Sequence, residues 1–261
     1  MKVDFGKVAK GFALYRNDLT ENLIENLQVR GLTFRERSVA DLGSGTGVLT
    51  RMLEEHGAEV TGVEPSAELI REAKMIDQES GVEIDYVNRY AEDTDLPGQS
   101  FDVVTALRAW HWFDGEAVLR EVKRILKPDG DLLIMDSGFV SADPVVQETM
   151  ALLKKEIPGR IKPAGRKAGS GQSINSFPVE WFAEWQSHGL ELKELYNEDY
   201  TVAFTPETWC ERIKTLSWML HLEEGERNNI MDGIKPHLIR LFGDRTYEIE
   251  HKFHVVMLKN V

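Results

Sequence analysis

The stretch Val39-Ala40-Asp41-Leu42-Gly43-Ser44-Gly45-Thr46-Gly47-Val48-Leu49-Thr50 constrains this chain most. An apolar strand ending runs into alternating glycines and then into a helix-like pattern. Glycine at positions 43, 45 and 47 permits positive φ and clears side chains from the turn, so a ligand can approach the main chain. The helix start adds N–H groups that have no intrahelical partner. Such a turn alone serves nucleotide binders, dehydrogenases and plain helix–sheet packing. Downstream, Ala58 to Val63 reads as a second short strand closed by Glu64. An acidic residue at the tip of the second strand of a βαβ unit accepts hydrogen bonds from ribose hydroxyls, and a charged acceptor makes the stronger kind. The two features together point to an adenosine-containing ligand.

Spacing separates two candidates. Dinucleotide binders favour G-x-G-x-x-G, whereas Asp41-x-Gly43-x-Gly45-x-Gly47 has the form D-x-G-x-G-x-G. In these residues the chain resembles the class I S-adenosylmethionine-dependent methyltransferases, in particular their small-molecule branch, methyltransferase type 11. The resemblance runs from about Val39 to Asp136. Leu96-Pro97-Gly98-Gln99-Ser100 before Phe101-Asp102-Val103-Val104 matches that family as well. The later half is similar in layout to trans-aconitate methyltransferase-like enzymes.

The resemblance implies a Rossmann-like, doubly wound, mostly parallel seven-stranded sheet with helical cap insertions beside the later strands. It implies S-adenosyl-L-methionine as cofactor and S-adenosyl-L-homocysteine as product. Asp41 with Gly43, Ser44, Gly45 and Gly47 is expected at the cofactor's amino-acid end, Glu64 at its ribose, Ala91 and Glu92 at its adenine, and Leu107 as a further contact. Tyr90 stands where the family often carries aspartate, so no role passes to it. Tyr15 and Arg16 match an element that folds over the cofactor in similar enzymes, where an arginine can pair with the methionine carboxylate.

The alternation of strand and helix patterns over almost a hundred residues independently argues for a parallel doubly wound sheet. The expected organisation is an N-terminal helical cover over 1–34, a cofactor-binding core over 35–136, a cap or lid insertion over 137–189, and the end of the sheet with inserted cap helices over 190–261. Met1 to Gly31 reads as helical. Within Lys154 to Lys167 stand six Lys or Arg and one Glu, either a surface loop or a lid that carries Arg160, Lys162, Arg166 or Lys167 to an anionic substrate. Trp181, Trp185, Trp209 and Trp218 cluster as a substrate cap or a helical core.

The apolar run Phe101 to Leu107 ends at Arg108-Ala109-Trp110-His111-Trp112-Phe113-Asp114. His111 is the candidate general base, since its ordinary pKa lies near neutrality. Tyr15, Arg108, Trp110, Trp112 and Arg160 are candidate substrate residues. A methyl donor that is already activated leaves the protein the tasks of alignment and water exclusion, so a missing catalytic triad is no objection.

Lys and Arg total 31 against 44 Asp and Glu, and the net charge of −13 disfavours a nucleic-acid partner. The single cysteine, Cys210, excludes a disulfide framework and a multi-cysteine zinc site, so no metal is expected. Absence of an apolar run of membrane-spanning or signal length leads to the expectation of a cytoplasmic protein with no membrane partner. A small metabolite, anionic or aromatic, is the expected partner, and oligomeric state leaves no mark. Two other readings stay open: a methyltransferase-like module that binds cofactor without transferring methyl, and an NAD-dependent oxidoreductase.

Overall fold

A computed structural model describes residues 4–20 and 22–261. After helices α1 (Ala9–Tyr15) and α2 (Leu23–Val29), strand and helix alternate: β1 (Ser38–Leu42), α3 (Val48–Glu55), β2 (Glu59–Val63), α4 (Ala67–Ser80), β3 (Asp85–Val87), β4 (Phe101–Leu107), α5 (Gly115–Ile125) and β5 (Leu126–Phe139). Then come α6 (Pro144–Glu156), the two-residue strands β6 (Ser173–Ile174) and β7 (Phe177–Pro178), α7 (Val179–Ser187), β8 (Leu190–Phe204), α8 (Pro206–Lys214), α9 (Glu224–Phe242) and β9 (Tyr247–Asn260). The seven-stranded sheet has the order β3-β2-β1-β4-β5-β9-β8. β1 pairs in parallel with β2 and β4, β2 with β3, and β4 with β5. The order therefore reverses between β1 and β4, the switch point at which open α/β sheets bind ligands.

Local chemistry explains the helix starts. Ser66 accepts from the Leu69 N–H, Asp114 from Ala117, Asp143 from Val145 and Val146, and Thr205 forms a capping box with Thr208. Met1 to Gly31 is not one helix. Its first three residues lie outside the described ones, and the helical path breaks between Tyr15 and Leu23, where Asp18 is drawn into a buried ion pair.

The chain divides into two compact units. The sheet unit comprises Leu19–Asp136, Gly165–Asn197 and His254–Val261. Its core joins Val104 and Ala106 of β4, Leu132 and Ile134 of β5, the inner face of α5, and Trp181 and Trp185 of α7. Those two tryptophans are thus core residues, and α7 continues the layered sheet. The second unit comprises Met1–Asp18, Ser137–Ala164 and Glu198–Phe253. In it α8 packs on α1 and α9, α6 packs on α9, and Trp209 lies fully buried with its indole N–H donated to the Thr149 hydroxyl. The 137–189 stretch is shared between the units, with the division after Ala164.

In the second unit Arg212, 1% exposed, donates from Nε and Nη2 to one Asp18 oxygen at 3.1 and 3.0 Å, and His251 Nε2 stands 3.8 Å from the same oxygen. Breaking a buried pair leaves an uncompensated charge. Arg212→Met is expected to lower stability in urea by about 3 kcal/mol, and Asp18→Asn in the same chain to restore part of it.

Candidate functional site

The glycine turn is built where β1 ends. Gly43 and Ser44 both donate to the Val63 carbonyl, at 2.7 and 3.1 Å, which ties the turn to the tip of β2. Gly45 donates to Glu64 Oε2 at 3.0 Å, and Glu64 Oε1 accepts from Ser66 at 2.9 Å. Gly43, Gly45 and Gly47 all have positive φ, as the sequence requires. At Gly47, the N-cap of α3, a Cβ would come within 2.3 Å of the Tyr86 hydroxyl and 2.7 Å of Arg51 Nη1, so only glycine fits. Glycine cannot cap with a side chain, and α3 begins without a side-chain cap.

Asp41, 1% exposed, accepts from Thr50 on α3 and Thr105 on β4, both at 2.8 Å. Burial raises its pKa to about 6 against the opposing pull of these hydroxyls. Glu64 is also raised, by burial first, against its backbone hydrogen bonds and with the Asp41 charge adding to the shift. Asp41 is therefore a brace between three elements, each of its oxygens accepting one side-chain hydroxyl.

Ala91 is buried, and Glu92 accepts from the backbone N–H of Asp114 at 2.8 Å. That bond joins the loop after β3 to the start of α5, so the Glu92 carboxylate holds two loops together. Tyr90 is 54% exposed. Leu107 is half-buried at the end of β4. Arg108, next to it, has φ of 54° and donates its N–H to the Met135 carbonyl at 2.8 Å. A left-handed arginine at a strand's carboxyl end is a strained position of the kind found at functional sites.

Trp110 corrects its expectation. It is 2% exposed and meets the Phe113 ring edge-on at 5.9 Å, so its large apolar surface fills the core and it does not face an acceptor. Trp112 is half-buried against the same core, its ring 4.9 Å from that of His111. Gly165 packs against the His111 carbonyl so closely that a Cβ there would lie 2.0 Å from it.

Asp136, near the end of the apolar part of β5, joins the candidate residues although no sequence motif marks it. Its carboxylate pairs with Lys167, which also donates to the Ser176 hydroxyl at 3.0 Å. Burial works to raise its pKa, but the charges of Lys167, His111 and Arg108 together hold it below the usual range. Its place near the carboxyl end of a sheet strand was the available signal. The basic segment is also corrected in part. Arg166 pairs with Glu184 and lies over the Trp181 ring at 5.2 Å, and Lys167 pairs with Asp136, so both cations are spent inside the sheet unit. Arg160 and Lys162 are exposed in the second unit. Tyr15 ends α1 in that unit, and Arg16 follows, its guanidinium 4.9 Å from the Phe12 ring centre. Tyr15, Arg16 and Arg160 are thus not part of the sheet unit that carries the other candidate residues.

A parallel sheet that carries a positive-φ glycine turn and an acidic strand tip at its switch point belongs to the nucleotide-cofactor class. Residues 40–134 match the methyltransferase domain family. A ubiquinone biosynthesis O-methyltransferase of Pseudomonas paraeruginosa is 37% identical over 169 residues, 63% of this chain and 68% of that protein. The uncharacterized methyltransferase YcgJ of Bacillus subtilis is 28% identical over 179 residues, 68% of this chain and 65% of YcgJ, so the match spans just under two thirds of that relative. The YcgJ crystal structure shares the fold, with a TM-score of 0.56 at 20% identity over 92% of this chain and 99% of that one. The chain belongs to the class I S-adenosylmethionine-dependent methyltransferases.

The residues at the turn fit that cofactor. The Ser44 hydroxyl is buried in the turn with no hydrogen-bond partner among the described residues. Each Glu64 oxygen accepts one backbone N–H, and a carboxylate has about four lone-pair sites, so acceptor capacity is left for ribose hydroxyls. Among the described residues no group of His, Cys, Asp and Glu is placed to hold a metal ion, and no helix is long and apolar enough to cross a membrane.

The raised pKa of Asp41 has a consequence opposite in sign to that of a paired carboxylate. Between about 3.8 and about 6 the folded chain keeps a proton that the unfolded chain has lost, so stability falls as pH rises through this window. The free-energy change reaches about 3 kcal/mol. Asp41→Asn removes it. Wild type minus variant stability, measured in urea, is expected to fall by about that amount between about pH 3.5 and about pH 7.

Proposed function

We propose that this protein transfers a methyl group from S-adenosyl-L-methionine to a small-molecule acceptor, anionic or aromatic. The observation that carries the reading is the Glu64 carboxylate, 6% exposed, fixed by the Gly45 and Ser66 N–H groups beside the glycine turn at the sheet's switch point. In this reading Glu64 binds the ribose, the Gly43–Gly47 turn with Ser44 holds the amino-acid end, and Ala91, the Glu92 segment and Leu107 line the adenine. The bound cofactor supplies a methyl group already activated by its sulfonium. The protein's part is to orient the acceptor and exclude water.

At the carboxyl ends of β4 and β5, the charges of Arg108 and Lys167 and a titratable His111 act on one carboxylate, Asp136. In this reading the acceptor lies at these strand ends, with Arg108 and Trp112 beside it. Where the acceptor must lose a proton, His111 is the group to take it; a carboxylate acceptor needs no base. The relatives named as ubiquinone biosynthesis O-methyltransferases support a small-molecule acceptor as a class.

Calorimetric titration with S-adenosyl-L-homocysteine tests the cofactor site. The wild type is expected to bind, and Glu64→Gln, Glu64→Ala and Gly45→Val each to weaken binding at least tenfold, or about 1.4 kcal/mol. Unchanged affinity in the folded Glu64 variants, or preferential binding of NADH by the wild type, overturns the assignment.

A further inference from the structure

Behind the glycine turn lies a buried polar cluster that the reaction does not use. Arg51 stands in the first turns of α3, where the positive end of the helix dipole disfavours a cation. It is nonetheless 9% exposed, so something specific holds it there. Its Nη1 pairs with Asp77 Oδ1 on α4 at 2.7 Å, and its Nη2 donates to the Thr46 carbonyl in the turn, also at 2.7 Å. Asp77, 4% exposed, supplies the compensating charge. Tyr86 on β3 completes the cluster. Its ring covers Gly62, its register partner on β2, so closely that a Cβ at Gly62 would meet the ring at 2.6 Å, and its hydroxyl reaches Gly47. Burial first, and the Asp77 charge second, keep the Tyr86 phenol neutral.

The consequence for the turn follows from peptide planarity. With the Thr46 carbonyl held inward by Arg51, the Gly47 N–H is fixed in the opposite direction, where it donates to the Ser44 carbonyl at 2.9 Å. Gly47 closes the loop by accepting the Arg51 N–H at 2.9 Å. The backbone from Ser44 to Gly47 is thus held by the Arg51 side chain and by its own hydrogen bonds.

We propose that Arg51, backed by Asp77 and Tyr86, is a positioning residue that holds the glycine turn in its cofactor-binding shape without touching the cofactor. The inference rests on the cofactor reading above and adds residues that govern its affinity. The test uses Arg51→Met/Asp77→Asn, which leaves no orphan charge, together with Arg51→Lys and Tyr86→Phe. S-adenosyl-L-homocysteine affinity by calorimetry and melting temperature are measured on each. The double variant is expected to bind roughly tenfold more weakly while still folded, since small misplacements of a site are costly. Arg51→Lys reaches Asp77 or Thr46 but not both, and is expected to recover part of the affinity. A purely structural role predicts a lower melting temperature with unchanged affinity; Arg212→Met/Asp18→Asn in the second unit is the comparator for that outcome. Wild-type affinity in the folded double variant overturns the proposal. Should the double variant not fold, Arg51→Lys and Tyr86→Phe decide: unchanged affinity in both overturns it equally. If the wild type binds no S-adenosyl-L-homocysteine, the cofactor reading fails, and the amide resonances of Gly45 and Gly47 in ligand-free protein decide the positioning claim. A shift of those resonances in Arg51→Lys supports it, and wild-type resonances overturn it.

Discussion

Asp41 lies one residue before the end of β1, buried, and its two oxygens accept from the hydroxyls of Thr50 and Thr105. One carboxylate thereby joins the helix after the turn to the neighbouring strand across the switch point. The glycine turn between β1 and α3 inherits its position from that junction. Without the brace, α3 would be fixed by its apolar face and the Arg51–Asp77 pair, and a turn of three positive-φ glycines has little stiffness of its own. The arrangement is costly, as the raised pKa records. A well-packed apolar group at the same place would be more stable but could not accept from two elements at once.

A second set of charges is organised near the ends of β4 and β5. Asp136 is flanked by Arg108 and His111 and paired with Lys167. The Lys167 pair brings the segment after Ala164 into the sheet unit, and Gly165 then seats against the His111 backbone. What reads in sequence as a basic run is thus two populations. Arg166 and Lys167 are internal counter-charges to Glu184 and Asp136, whereas Arg160 and Lys162 are solvated. Composition sees the sum of charges, and only packing sorts them.

The same distinction explains how much of the molecule was legible beforehand. The glycine turn, the acidic tip at Glu64 and the alternation of strands and helices are local patterns, each decided by neighbours within a few residues. They appear in the structure from β1 through β5. The roles of Asp41, Glu92, Arg51 and Asp136 are not legible in the sequence, because each depends on a partner distant in it. Thr105 is 64 positions from Asp41, and Asp77 is 26 from Arg51. The 137–189 stretch divides between the two units for a related reason. Helical periodicity in α7 says that one face is buried, but not against which layer, and Trp181 and Trp185 bury it against the sheet unit.

The electrostatics of the turn bear on why this cofactor suits it. Asp41 and Glu64 are both buried and both raised, and the charge of the first adds to the shift of the second. Two carboxylates that repel each other in a low-dielectric setting favour any ligand that brings donors or positive charge. Ribose hydroxyls at Glu64 would replace hydration lost on burial, and a cationic cofactor would lower both pKa values further than a neutral one. An NAD-type pyrophosphate would bring two negative charges to the same place and raise them. The D-x-G-x-G-x-G spacing and the charge of its surroundings therefore favour the same class of ligand by independent routes. One acts through the shape of the backbone, the other through the cost of keeping two carboxylates ionised behind it.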